Sequence, residues 1–347
     1  MSPLVHGSLL ALETTPINTE HGMFTAHLFH NLTTGAPVLV LAIGDLRAHA
    51  PLLARVHSSC ITSESYLGCD CDCAEQLTAA MAAIAAAGRG VLFYLTQEGR
   101  GAGFTAKARD RMLVQASRDR LSTFDAYAQM GLRHDQRRYG EVAAASQLLG
   151  IEGALLLLSN NPDKAAALRA EGVEIAGVVQ LPSTPSPFNL PYLAAKSRAG
   201  HALAELAGEV AHLPEPVVAF EPHAVAELPR FIRTASYLLP VRVRRPAWFR
   251  VHVYLDTATG TDRVVLTHGP ADRGAAVVSR VQRETLLERF PLRRPRFKRR
   301  WREAVVRITA VGAGATLFLG DRDAAPDPAT LTLLTRHAAN TTPELDA

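Results

Sequence analysis

Residues 60–73 read CITSESYLGCDCDC and carry every cysteine of the 347-residue chain: Cys60, Cys69, Cys71 and Cys73. Clustering of this kind in an otherwise cysteine-free sequence points to a metal site rather than to disulfide staples. The spacing is Cys60-x10-Cys71-x-Cys73, with Cys69 two residues ahead of the pair. Soft thiolates suit zinc. Three protein ligands leave a fourth position for water and make a catalytic centre, whereas four close a structural one. Spacing leaves both arrangements open, although three alternate cysteines in a short arc would crowd one ion, which leans against Cys69.

The sequence around this stretch alternates strand-like and helix-like segments. Val38–Ile43 (VLVLAI), Val91–Leu95 (VLFYL) and Ala154–Leu158 are short apolar runs that read as buried strands, and Val173–Val179 returns as another. Between them, Gln76–Ala87 is an alanine-rich helix stopped by Gly88, and Glu141–Leu149 is helical. A further helix opens at Asn161-Pro162, with Asn at the N-cap and Pro at N1, and ends at Glu171-Gly172. The expectation is an α/β core with parallel pairing of the later strands.

At 347 residues two domains are the natural expectation. Residues 1–206 hold 16 Lys+Arg against 18 Asp+Glu, and residues 207–347 hold 21 against 15, so the overall +4 charge belongs to the C-terminal part. The boundary is expected near 206, with the four-proline stretch 207–229 as a linker and 230–347 as a smaller, basic α+β domain. Strands are expected at Val241–Val243, Phe249–Leu255, Arg263–Leu266, Val305–Val311 and Thr316–Leu319, with one helix over Gly274–Glu288. No apolar run approaches the roughly 18–20 residues that span a bilayer. The N-terminus lacks a basic segment followed by an apolar core. Metal-binding thiols fit a reducing compartment, so the cytoplasm is expected.

Three further segments carry chemistry. Gln97-Glu98-Gly99-Arg100-Gly101-Ala102-Gly103 follows a strand directly; its glycines permit close backbone approach, and Glu98 with Arg100 offers a charge pair. Arg133–Tyr139 sets Asp135 among several cations suited to phosphate oxygens. Ser159-Asn160-Asn161-Pro162-Asp163-Lys164 takes a strand into a helix N-terminus, a place for an anion or a nucleobase. Each of these taken alone also reads as a turn or a helix cap.

As an ordered set they resemble the GTP cyclohydrolase II family. The resemblance rests on Arg55–Thr62 (RVHSSCIT), Cys71-Asp72-Cys73 with Gln76-Leu77, Gly88-Arg89-Gly90, Gln97–Arg100, Asp135-x-Arg137 and Ser159–Pro162, and runs from about residue 10 to about 205. It implies a mixed sheet with flanking helices and a zinc enzyme that opens the guanine imidazole of GTP, removes C8 as formate and releases diphosphate. Its zinc ligands fall on Cys60, Cys71 and Cys73, leaving Cys69 aside. Substrate-binding positions fall on Arg55, His57, Ser58, Ser59, Gln76, Glu98, Gly99, Arg100, Thr123, Ser159 and Lys164, and acid/base and nucleophile positions on Asp135 and Arg137. The resemblance also implies Mg²⁺ on the triphosphate and a homodimer.

The chain departs from the family pattern in three places. Ser59 stands where an acidic residue usually precedes the first zinc cysteine, and Ser159 stands where the family has threonine. Arg111 replaces a tyrosine associated with loss of formate from the opened ring. A guanidinium cannot act as a neutral phenol does. The expectation is therefore ring opening without efficient deformylation, in riboflavin synthesis or in a specialised pathway. Beyond residue 206, Arg289–Arg302 (RFPLRRPRFKRRWR) interleaves eight cations with Phe290, Phe297 and Trp301. That pattern supports an alternative, a non-catalytic zinc protein that binds nucleic acid through its tail by phosphate contact and stacking.

Overall fold

The computed structural model describes residues 5–203, 205–222, 229–270, 278–320 and 326–338. Its elements run β1 (Val5–His6), β2 (Leu9–Thr19), β3 (Gly22–Asn31), β4 (Pro37–Ile43), β5 (Leu52–Ser58), α1 (Ile61–Glu64), α2 (Cys73–Ala86) and β6 (Gly90–Leu95). Next come α3 (Phe104–Ala116), α4 (Thr123–Gln129), α5 (Gly140–Leu149), β7 (Leu155–Leu158), α6 (Pro162–Ala170), β8 (Ile175–Val179) and α7 (Leu190–Arg198). The C-terminal part adds β9 (Phe231–Val241), β10 (Ala247–Asp256), β11 (Thr261–His268), β12 (Val278–Arg283), α8 (Arg296–Val311), β13 (Gly314–Leu319) and α9 (Pro328–Ala338).

Two sheets result. The first orders its strands β1-β2-β3-β4-β6-β5-β7-β8. Its first half is an antiparallel meander, and β6, β5, β7 and β8 pair in parallel. The apolar runs in this sheet are continuous because both faces are covered. Along β4, Val38 and Val40 face one core while Leu39 and Leu41 face the other; along β6, Val91, Phe93 and Leu95 alternate in the same way with Leu92 and Tyr94. Asn161 caps α6, its side chain accepting the Asp163 N–H at 3.0 Å, with Pro162 at the first helical position. The second sheet orders its strands β12-β13-β11-β10-β9, with only the β12–β13 pair parallel.

The C-terminal part differs from expectation in three ways. Val305–Val311, expected as a strand, is the second half of α8. Its branched residues sit at helical spacing, so that Trp301, Ala304, Val305 and Ile308 form one buried face. The expected helix 274–288 contains β12 instead: parallel pairing with β13 overrides local propensity. Residues 274–277 lie outside the described residues. The strand expected at Val241–Val243 meets β9 only at Val241, where that strand, begun at Phe231, ends.

The second sheet is not set apart from the first. Tyr237 and Leu239 of β9 share a core with Ala108 and Met112 of α3. Phe290 inserts, fully buried, among Phe24, Leu39, Leu41 and Tyr94 of the first sheet. A bridge between Thr19 and Leu292 ties the same segment to the tip of the β2–β3 hairpin. Within 207–229, Val217 is buried and Leu213 and Phe220 pack against the core that α3 and β9 share. Phe290 and Trp301 are 0% and 1% exposed, so neither ring is open to stack on a base. Truncating Phe290 to Ala is expected to lower the stability of the full chain by about 3–5 kcal/mol, the cost of a large buried aromatic. Denaturant unfolding followed by circular dichroism checks this, and a loss under about 1 kcal/mol would contradict the account.

Candidate active site and metal centre

The carboxyl ends of parallel β5, β6 and β7 deliver Ser58–Cys60, Gln97-Glu98 and Ser159-Asn160 to one edge of the first sheet. Open α/β sheets hold ligands at such an edge. A cavity opens there, lined by Arg55, His57, Ser58, Ser59, Cys60, Cys71, Cys73, Gln76, Glu98, Gly99, Arg100, Arg111, Thr123, Asp135, Arg137, Ser159 and Lys164. Every position that the family resemblance assigned is thus in one place.

The ligand atoms of Cys60, Cys71 and Cys73 all lie within 4.8 Å of one another, with Cys60 Sγ 3.6 Å from Cys71 Sγ. Cys69 is turned away. Its Sγ donates to the Pro240 carbonyl at 3.3 Å, and burial pushes the thiol up to about 11. Three convergent thiols, two buried and that of Cys73 half-buried, fit a soft divalent ion, and Cys69 lies outside the set. Hydrogen bonding with the Cys71 and Cys73 thiols pulls Cys60 well below the ordinary thiol value. The Lys107 ammonium sits 3.1 Å from Cys60 Sγ.

Lys107 also corrects one expectation. Glu98 pairs with Lys107 at 2.6 Å rather than with Arg100, and its second oxygen accepts the Ile61 N–H at 2.9 Å. Arg100 lies instead over the Phe124 ring, 4.2 Å from its centroid. The glycine turn allows this crossing. Gly99, Arg100 and Gly101 all have positive φ, and a Cβ on Gly101 would meet the Gln136 backbone at 2.8 Å.

Seven cations and four carboxylates line the cavity, a balance suited to a polyanion. Two of the cations are fixed to the floor: Arg55 donates to the Leu158 carbonyl and to Gln76 at 2.8 and 2.9 Å, and Lys164 donates to the Val56 carbonyl at 2.8 Å. Burial pushes the Lys164 amine well below the usual lysine value, and the Arg55 charge adds to that. Nearer the mouth, Asp135 grips Arg137 through Nε at 2.9 Å and through Nη2. Burial disfavours the Arg137 charge, yet the hydrogen bonds it donates to Asp135 and the negative charge around it together outweigh that and raise its pKa. Arg111 points an Nη1 at Asp70, 3.1 Å away; burial disfavours its charge, but the Asp70 charge and further anionic neighbours together outweigh that and raise its pKa.

Sequence reading missed Lys107, Glu64 and Lys196. Glu64 accepts from the Cys60 N–H at 3.1 Å and lies 2.8 Å from His57 Nε2, so one carboxylate orients both a thiol-bearing residue and an imidazole. Lys196 holds Asp72, which in turn holds Gln76, at 2.6 and 2.7 Å. Lys107 was within reach, since it precedes Arg111 by one helical turn on the same face of α3. Glu64 and Lys196 carry no local signal.

A thiol cluster at the carboxyl edge of a mixed sheet, inside a cation-rich cavity, suits a soft metal ion beside an anionic ligand. The chain belongs to the GTP cyclohydrolase II family, whose sequence profile matches residues 11–180. It is 41% identical over 205 residues to the GTP cyclohydrolase-2 of Azotobacter vinelandii, covering 58% of this chain and 97% of that one. It is 42% identical over 184 residues to the enzyme of that name from Pseudomonas syringae (53% and 88%) and 36% over 199 residues to that of Shewanella amazonensis (57% and 95%). Among solved structures, RibBX, a two-domain 3,4-dihydroxy-2-butanone 4-phosphate synthase from A. baumannii, overlays with a TM-score of 0.29 and 18% identity, over 50% of this chain and 40% of that one. That overlay is too loose to bear on the fold. Among the described residues no helix is long and apolar enough to cross a membrane.

Beside Arg111, Asp110 is buried, and its Oδ2 accepts from the Thr123 hydroxyl at 2.8 Å. Burial pushes its carboxyl up from 3.8 to about 6. A carboxyl raised on folding holds its proton more tightly in the folded chain. Stability is therefore lost as pH rises through 3.8 and the loss is complete above about 6. Asp110→Asn keeps an acceptor for Thr123 and is expected to gain stability over the native chain at about pH 7 but not at about pH 4. Denaturant titrations at both pH values check this; an equal difference at the two would contradict it.

Proposed function

We propose that this chain is a zinc-dependent hydrolase that opens the imidazole ring of GTP at C8 and releases diphosphate, yielding a ribosylaminopyrimidine phosphate that keeps C8 as a formamide. Residues 1–206 form the catalytic unit, 207–229 connect, and 230–347 form a basic C-terminal unit. The observation that carries the reading is the convergence of three thiols, and of no fourth, in the cavity that collects the cations.

Cys60, Cys71 and Cys73 would hold the zinc, which supplies Lewis acidity and an activated water for hydrolysis. Three thiolates concentrate negative charge, and the Lys107 ammonium beside Cys60 offsets part of it. His57, oriented by Glu64, is placed beside the thiols to move protons. Arg100 and Arg137 at the mouth suit the triphosphate, whose remaining charge Mg²⁺ would help to neutralise. Because Asp135 keeps Arg137 protonated, its role is electrostatic stabilisation of the departing diphosphate, not attack on phosphorus. The remaining substrate positions, Arg55, Ser58, Ser59, Gln76, Glu98, Gly99, Thr123, Ser159 and Lys164, shape the pocket around the purine nucleotide.

Arg111 decides the product. Held protonated by Asp70, it offers no neutral hydroxyl to assist the second hydrolysis. Mass spectrometry of the GTP reaction is expected to find the formyl carbon on the pyrimidine product, and Arg111→Tyr is expected to release formate. Stoichiometric formate from the native chain would defeat this part of the reading. Zinc analysis and turnover test the rest: Cys71→Ser is expected to fold but lose both metal and activity, whereas Cys69→Ser keeps both. Unchanged turnover in Cys71→Ser would defeat the assignment.

A further inference from the structure

The ten residues between Cys60 and Cys71 hold themselves only by short-range backbone bonds: Ser63 and Glu64 donate to the Cys60 carbonyl, Ser65 and Tyr66 to that of Ile61, and Gly68 to that of Thr62. Their helix, α1, is a single four-residue turn, too short to persist unaided. Leu67 sits at φ +65°, a conformation a branched side chain keeps only when its surroundings impose it. A side chain on Gly68 would collide with Leu239 Cδ1 at 2.7 Å and the Thr62 carbonyl at 2.9 Å, so the loop lies directly against β9.

The C-terminal part supplies what the loop lacks, at three points. Near the Cys60 end, the Ser65 hydroxyl donates to Glu284 at 2.9 Å. Glu284 also binds Arg289 at 2.7 and 2.9 Å. Arg289 reaches the Tyr94 hydroxyl at 3.3 Å, and Tyr94 donates at 2.5 Å to Glu64, the carboxylate that holds the Cys60 amide. At the centre, the Trp301 indole N–H donates to the Tyr66 carbonyl at 3.1 Å, and the Tyr66 ring packs on Phe318 at 4.3 Å between centroids. Near the Cys71 end, Gly68 forms a bridge with Val241. There Cys69 N–H donates to the Pro240 carbonyl at 2.9 Å and Arg242 N–H to the Leu67 carbonyl at 2.8 Å.

We propose that β9, α8 and the segment around Glu284 form a clamp on the Cys60–Cys71 loop, so that the C-terminal part positions the Cys60 and Cys71 thiols and retains the metal. The clamp rests on the reading of those thiols as zinc ligands. Trp301, Glu284 and Arg289 are positioning residues: none reaches a thiol, and each acts through the loop backbone or through Glu64. Partners one step behind metal ligands typically change metal affinity by roughly 10–100-fold.

The test uses zinc-loaded full-length chain: native, Trp301→Phe, Glu284→Gln and the two combined. Arg250→Ala serves as a control that removes an ion pair with Glu215 elsewhere on the second sheet. Transfer of zinc to a chromophoric chelator is followed together with amide exchange over residues 61–69 and thermal unfolding. Trp301→Phe keeps an aromatic ring against Phe249 and Phe318 and removes the donor with the five-membered half of the indole, so it decides the matter if the double variant fails to fold. Zinc release is expected to quicken roughly tenfold or more, with faster exchange in the loop, while the control keeps native release and native exchange there. Native release rates in both single variants, or faster exchange without faster release, would overturn the clamp. A native chain holding no more zinc than Cys71→Ser would overturn the zinc reading itself, a distinct result.

Discussion

Three sulfur atoms, two buried and that of Cys73 half-buried, converge within 4.8 Å, and the chain that joins the first two is a ten-residue loop whose own backbone hydrogen bonds are all short-range. Closing such a loop has an entropic cost, and holding thiolates together without their ion adds charge repulsion. The rest of the structure is organised around this constraint. Glu64 fixes the amide of the first cysteine, Lys107 sets a positive charge against its sulfur, and α2 begins at the last cysteine. The far side of the loop is covered by a second sheet joined to the first by a shared core and by Phe290.

The cavity's electrostatics follow a division of labour. Cations at the floor are committed to backbone carbonyls and carry the architecture, as with Arg55 and Lys164. Those nearer the mouth retain exposed faces, as with Arg100 over Phe124 and Arg137 beside Asp135. A polyanion would be drawn by the sum of these charges and positioned by the second group. Arg111 belongs to neither: it is paired with Asp70 at the junction of α3 and the cysteine loop.

Much of the catalytic half was legible because its signals are local. The runs at β4 and β6 are apolar on both faces, Asn161-Pro162 marks a helix start, and Gly99 and Gly101 mark a turn that other residues adopt only with strain. Other features depend on distant partners. Spacing could not exclude Cys69 from the metal set, since its thiol is claimed by a carbonyl 171 residues away. Nothing near Tyr66 announces that an indole 235 residues on holds its carbonyl. The C-terminal part misled for the same reason: β12 exists through its pairing with β13, and the branched run in α8 follows a helical period that its residue types alone conceal.

The central claim is that sulfur occupies three, and not four, positions around the ion. X-ray absorption at the zinc edge of the metal-loaded full chain measures this directly. The account predicts three sulfur neighbours at about 2.3 Å and one oxygen or nitrogen neighbour nearer about 2.0 Å. Four sulfur neighbours would contradict it, because a closed thiolate shell leaves no position at which water could be activated.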